Sequence, residues 1–123
     1  MITLDTGALI ALERRKERIL RVLRGAAQTA TQVVVPSVAL AEWWRARPSA
    51  RMRAYLDAMT IQSVDAALAS VAGEAVAAVP TATLIDAIVM ASAARGGGVV
   101  YTSDPDDLMA LQAHFRLVRV FAV

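Results

Sequence analysis

The segment Thr83-Leu84-Ile85-Asp86-Ala87-Ile88-Val89-Met90-Ala91-Ser92-Ala93-Ala94-Arg95-Gly96-Gly97-Gly98-Val99-Val100-Tyr101-Thr102-Ser103-Asp104-Pro105 decides the fold class. Thr83 is a natural helix N-cap, and the apolar run behind it predicts a helix from Leu84 to Ala94. The triple glycine supplies a helix C-cap and turn. It matches neither phosphate-loop pattern, GxxxxGK or GxGxxG. Val99-Val100-Tyr101 follows as a short apolar strand, and Asp104-Pro105 opens a further helix expected to reach about Ala113. Helix, glycine turn, strand and new helix in immediate succession are the repeating unit of an α/β protein.

The same alternation extends in both directions. Ile2-Thr3-Leu4 reads as a strand, and residues 8–27 as a helix with a break near Arg15. Val33-Val34-Val35 is a second strand, ended by Pro36-Ser37, a good helix start. Helical pattern follows over 38–46 and 49–59, then a third strand over Ile61–Val64. Asp65 caps a helix expected over Ala66–Val79 and stopped by Pro80, and Leu117–Phe121 closes the series as a fifth strand. The strands are short, β-branched and apolar on both faces, as in a buried parallel sheet. The expectation is one α/β domain over 1–123, an open sheet of about five strands with helices on both faces.

Composition narrows the chemistry. Val, Leu, Ile and Phe make up 35 of the 123 residues, enough for a packed core. No cysteine is present, which removes disulfides, thiolate zinc sites and cysteine nucleophiles. His114 is the sole histidine and is expected on the surface near a helix end. No apolar stretch is long enough for a membrane span, and the N-terminal order, apolar before basic, is the reverse of a signal peptide, so a cytoplasmic location is expected. Of the adjacent Trp43 and Trp44, at most one can point fully into the core of a helical segment.

Charge is unevenly placed. Residues 14–53 hold ten of the 13 basic groups and only Glu17 and Glu42 as acids, a net +8, whereas the rest of the chain sums to −6. Along a continuous helix Leu12, Ile19, Leu23 and Ala27 would share one side, with Arg14, Arg18 and Arg21 opposite. Arginine suits bidentate contact with phosphate. A solvated helix face is the plain alternative for this cluster.

Open parallel sheets bind ligands beyond the carboxyl ends of strands, at the point where strand order reverses; two acids sit at such ends, facing one crevice if the first and fourth strands are neighbours, and two more lie on adjoining helices. Asp5 directly follows the first strand, Asp104 comes just after the fourth, past Thr102-Ser103, Glu42 lies on the helix leaving the second, and Asp86 opens the helix that leads into the fourth. Each has a local explanation too: Asp5 and Asp104 as turn or cap residues, Asp86 as a helix-dipole partner, Glu42 as an exposed helix residue. Two carboxylates 4 Å apart repel by about 4 kcal/mol at an effective dielectric of 20. Four converging acids therefore call for protonation or a cation, and Mg²⁺ or Mn²⁺ suits an all-oxygen set better than zinc. Such a site beside a basic segment points to phosphodiester hydrolysis.

The runs Ile2-Thr3-Leu4-Asp5-Thr6, Val35-Pro36-Ser37-Val38-Ala39-Leu40-Ala41-Glu42, Leu84-Ile85-Asp86-Ala87-Ile88-Val89-Met90-Ala91 and Tyr101-Thr102-Ser103-Asp104-Pro105-Asp106-Asp107-Leu108 resemble the four acidic motifs of PIN-domain ribonucleases. In size and motif order the chain resembles the VapC toxins of toxin–antitoxin pairs. The resemblance implies a three-layer α/β/α sandwich with a short, mainly parallel sheet. It implies catalytic acids at Asp5, Glu42, Asp86 and Asp104, a metal held by Asp5, Asp86 and Asp104 with Asp107 as a further ligand, and small hydroxyls at Thr102 and Ser103. Together with Thr6 and the basic Arg14, Arg18 and Arg21, these are the candidate substrate contacts. It also implies Mg²⁺- or Mn²⁺-dependent cleavage of RNA, a tRNA or a ribosomal RNA loop, leaving 5′-phosphate and 3′-hydroxyl ends. A homodimer and a cognate VapB-like antitoxin belong to the same expectation.

One departure stands out: Gly7 occupies a place where Ser or Asn is usual, which removes a polar contact near the metal. A catalytically weak PIN-like module binding RNA or protein is therefore the alternative reading. A phospho-receiver domain is disfavoured, since the sole lysine, Lys16, lies on the first helix rather than at a strand end.

Overall fold

A computed structural model describes residues 1–45 and 47–123. Along the chain run β1 (Ile2–Leu4), α1 (Thr6–Glu13), α2 (Glu17–Gln28), β2 (Val33–Pro36), α3 (Ser37–Trp44), α4 (Ala50–Asp57), β3 (Thr60–Gln62), α5 (Ala66–Ala78), α6 (Leu84–Arg95), β4 (Val99–Thr102), α7 (Pro105–Met109) and β5 (Arg119–Ala122). The five strands form one sheet in the order β3-β2-β1-β4-β5, every neighbouring pair parallel. Thr3 pairs with Val34 on one side and Val100 on the other, so β1 is the central strand. The chain moves outward through β2 and β3, then crosses to β4 beside β1. Strand order reverses between β1 and β4, and this fixes the ligand crevice at their carboxyl ends.

Two apolar clusters sandwich the sheet. Leu4, Val35, Leu9, Leu12, Ile19, Trp43 and Met52 join β1 and β2 to α1–α4 on one face. Val100, Leu68, Val89, Met90, Leu108 and Val118 join β4 to α5–α7 on the other. Local chemistry sets the joints as expected. Asp65 accepts the Leu68 N–H at 2.8 Å and Thr83 the Asp86 N–H at 3.1 Å, each starting its helix. Gly97 and Gly98 turn the chain at φ +90° and +77°, and the Gly98 N–H closes onto Ala93 O at 2.8 Å.

Several expectations are corrected. The break near Arg15 is met, a left-handed φ of 55° dividing the segment into α1 and α2, but it also resets the helical phase, which the continuous-helix spacing did not allow for. Ala26, not Ala27, consequently joins Ile19 in the interior, and Arg14 leaves the arginine face to become the α1 C-cap. The last helix stops at Met109 rather than Ala113. Beyond it, tight turns such as Leu111 N–H to Leu108 O and His114 N–H to Leu111 O bend the chain so that Leu111 and Phe115 are buried and β5 can begin. β3 and β5 are not apolar-buried on both faces: they are the sheet edges and mostly exposed. The α3 helix ends at Trp44, and its expected end at Ala46 lies outside the described residues. Trp43 points inward, its indole N–H on Glu13 Oε2 at 2.9 Å, whereas Trp44 is 43% exposed beneath Arg53.

Candidate functional site

Four separate elements deliver carboxylates to one crevice. Asp5 leaves the end of β1 and serves as the α1 N-cap, its Oδ1 accepting the Ala8 N–H at 2.8 Å. Asp104 leaves the end of β4 at the N-cap position of α7, with its carboxylate beside Asp107 in the first turn of that helix. Glu42 comes from α3 and Asp86 from the first turn of α6. All four line a hollow of about 200 Å³, together with Thr6, Gly7, Thr102 and Ser103 and floored by Ile85 and Val89. Asp5, Glu42, Asp86, Asp104, Thr6, Thr102 and Ser103, singled out from the sequence, are thus brought together in this hollow.

Other expected contacts fall elsewhere. Asp107 abuts Asp104 from the first turn of α7 without lining the hollow. Arg14, Arg18 and Arg21 do not line it either. Arg18 reaches the Ala122 carbonyl at 3.4 Å and Arg21 lies 4.0 Å from Glu17, on an exposed flank.

The β1–β4 seam carries the site. The Asp5 N–H extends the strand ladder to Tyr101 O at 3.3 Å. The Thr102 hydroxyl accepts the Asp104 N–H at 3.0 Å and also supports the Asp5 carboxylate. Burial pushes the Asp5 carboxyl up to about 6, a rise that the Thr102 hydroxyl and Ala8 N–H oppose and the Asp86 charge adds to. Burial likewise raises Asp86, with the charges of Glu42 and Asp104 contributing. Asp104 is raised by its hydrogen bond with Asp107 and by that residue's charge. Among the described residues none of the four acids has an ion-pair partner.

Mutual repulsion without a compensating cation fits a hard divalent ion in kind: the donors are carboxylates and hydroxyls, with no sulfur or imidazole. The acids do not stand as a finished cage, for among the described residues no three are grouped closely enough to grip an ion as they are. Mg²⁺ keeps several waters and takes one or two protein carboxylates, so an open ring of acids suits it.

A second hollow of about 360 Å³ adjoins the first, sharing Thr6 and Glu42 and adding Ile10, Trp43 and Arg45. Arg45 was not singled out from the sequence. Its spacing was the available signal, since three residues past Glu42 on a helix is the same face.

A parallel sheet of this order between helices, with acids at its switch point, is an α/β/α sandwich. Within that class the chain is similar to chains of known toxin–antitoxin structures. It matches VapBC2 from Rickettsia felis, bound to a DNA fragment from its promoter, with a TM-score of 0.75 at 14% identity, covering 100% of this chain and 99% of that one. A toxin–antitoxin complex from Klebsiella pneumoniae gives 0.76 at 18% identity over 100% of both chains. FitAcB from Neisseria gonorrhoeae gives 0.71 at 20% identity over 98% and 96%. The fold is the PIN-like fold of these chains. No family model and no curated protein matches the sequence.

Proposed function

We propose that this chain is the toxin of a toxin–antitoxin pair and acts as a Mg²⁺- or Mn²⁺-dependent endoribonuclease. The observation that carries the reading is the delivery of four carboxylates, none with an ion-pair partner among the described residues, into one 200 Å³ crevice. Likeness of fold to chains from toxin–antitoxin complexes supports the toxin part.

Asp5, Asp86 and Asp104 would hold the ion, with Asp107 behind Asp104 and Glu42 completing the ring. When bound, the ion lowers the pKa of a water and offsets charge on a phosphate oxygen. The protein's part is orientation. Asp5 is fixed by the Ala8 N–H and the strand ladder, so its carboxylate faces the crevice in one pose. Ser103 offers a hydroxyl to the phosphate, the Thr6 hydroxyl is turned to the Ala39 carbonyl at 3.5 Å, and Ile85 and Val89 add apolar walls. Cleavage leaves a 5′-phosphate and a 3′-hydroxyl on a tRNA or ribosomal RNA loop. Arg18 and Arg21 on the exposed α2 flank, with Arg14 apart from them at the α1 C-cap, contact RNA backbone away from the reacting phosphate or an acidic segment of a VapB-like antitoxin. The chain works as a homodimer, for which exposed Trp44 and Ile61, beside Leu40 and Leu56, offer an apolar surface. No helix of the described residues is long and apolar enough to cross a membrane.

One observation favours the alternative, a binding module with weak catalysis: the acids are not gathered into a cage. Expression without antitoxin separates the two. The toxin arrests growth, Asp5→Asn and Asp104→Ala lose the arrest while remaining folded, and cut RNA from arrested cells carries 5′-phosphates. Arrest undiminished in both variants contradicts the nuclease.

A further inference from the structure

Gly7 sits in the first turn of α1, facing the β4–α7 loop, and the space its side chain would fill is taken. A Cβ built there would stand 2.1 Å from Ser103 Oγ and 3.0 Å from both Ser103 Cβ and Ser103 N. Real Cβ atoms are not found 2.1 Å from an oxygen, so any side chain at position 7 must turn the serine hydroxyl away, and the 3.0 Å contacts with Ser103 Cβ and N require the loop itself to give by a few tenths of an ångström. That loop carries the site. Ser103 directly precedes Asp104, whose N–H is tied to Thr102, and the Gly7 N–H is among the groups supporting the Asp5 carboxylate.

We propose that Gly7 is a positioning residue that works as a pair with Ser103. The missing Cβ lets the β4–α7 loop close on α1, Ser103 Oγ takes the place of a residue-7 side chain, and the relative placement of Asp5 and Asp104 is set by that contact. The hydroxyl is therefore not lost from this corner of the crevice but reaches it from the opposite strand end. The inference rests on the reading of the crevice as a divalent-cation site.

The test uses the full chain and Mn²⁺ alone, titrated and read by disappearance of the free-ion paramagnetic resonance signal, with melting of the metal-free proteins in parallel. Gly7→Ala should weaken Mn²⁺ binding about tenfold. Ser103→Gly, which removes a hydroxyl but leaves the loop seated, should weaken it no more than about threefold. In Gly7→Ala/Ser103→Gly the contacts to Oγ and Cβ disappear, leaving only the 3.0 Å contact to the backbone nitrogen. That variant should return to within about threefold of the parent. A merely structural glycine would lower the melting temperature with Mn²⁺ affinity unchanged. That outcome, or a double variant no better than Gly7→Ala, overturns the pairing while the cation site stands. A parent chain that binds no Mn²⁺ overturns the site reading and the pairing with it.

Discussion

Replacing Asp5 by Asn should make the metal-free protein more stable, although Asp5 is buried and hydrogen-bonded. Its carboxyl is pushed from 3.8 to about 6, mainly by burial. A rise of roughly two units at 1.36 kcal/mol each sets an upper bound of about 3 kcal/mol on what the charged form costs the fold at neutral pH. Asn keeps an oxygen to accept the Ala8 N–H, so the cap survives. The expected gain at pH 7.5 is about 1–3 kcal/mol, and at roughly 3–6 °C per kcal/mol for a domain of this size it should be evident in a thermal melt. The sign follows from proton uptake. Between about pH 4 and 6 the folded state binds the proton more tightly than the unfolded one, so the parent loses stability as pH rises through that window. Asp5→Asn should lack that loss, and the two curves should converge by about pH 4. Asp5→Ala should gain less, since losing the cap costs about 1 kcal/mol. The assay is melting from pH 4 to 8 in chelator. Parallel profiles, or an Asn variant less stable at pH 7.5, would refute the argument that the crevice is strained by unpaired charge.

Other outcomes follow from the same structure. Mg²⁺ or Mn²⁺ should raise the parent's melting temperature at pH 7.5 and leave Asp5→Asn nearly unmoved, because the ion offsets charge that variant lacks. Asp65 has the opposite pH behaviour: Arg95 holds its carboxyl down at about 2, so its contribution is present above about pH 4 and fades towards pH 2, and Asp65→Asn should flatten acid unfolding in that range. Gly97→Ala should destabilise by about 2 kcal/mol or more in denaturant titration, for its φ is +90° and the added Cβ would meet the Met1 carbonyl at 2.6 Å. Trp43→Phe should cost about 1–3 kcal/mol by stranding Glu13 at a part-buried hydrogen bond, whereas Trp44→Phe should be nearly neutral in the same titration.

What could be read from sequence was what local backbone chemistry writes down. Asp65, Thr83 and the triple glycine mark their helix ends because a cap or a left-handed turn needs those residue types, and the alternation they punctuate implies a sheet with a switch point. Asp5 and Asp104 could be placed there because each comes at or just past the end of a strand. The misread features depend on tertiary partners. A break near Arg15 was legible, but how far a left-handed non-glycine residue rotates α2 relative to α1 was not, and the end of α7 depends on the core drawing in Leu111 and Phe115. Which tryptophan faces inward is decided by Glu13 across the α1–α3 contact. Gly7 shows the difference most clearly. From the sequence it removes a polar group from the site, and only the approach of Ser103 reveals that a hydroxyl fills the same space.

The central claim, that the four acids form a metal-dependent nuclease centre, is tested most directly by incubating total RNA with the purified, antitoxin-free chain in Mg²⁺ or Mn²⁺, beside chelator and Asp104→Ala. The account predicts discrete fragments that vanish in both controls. Intact RNA in every lane from a folded protein, or fragments that persist in chelator, would contradict it.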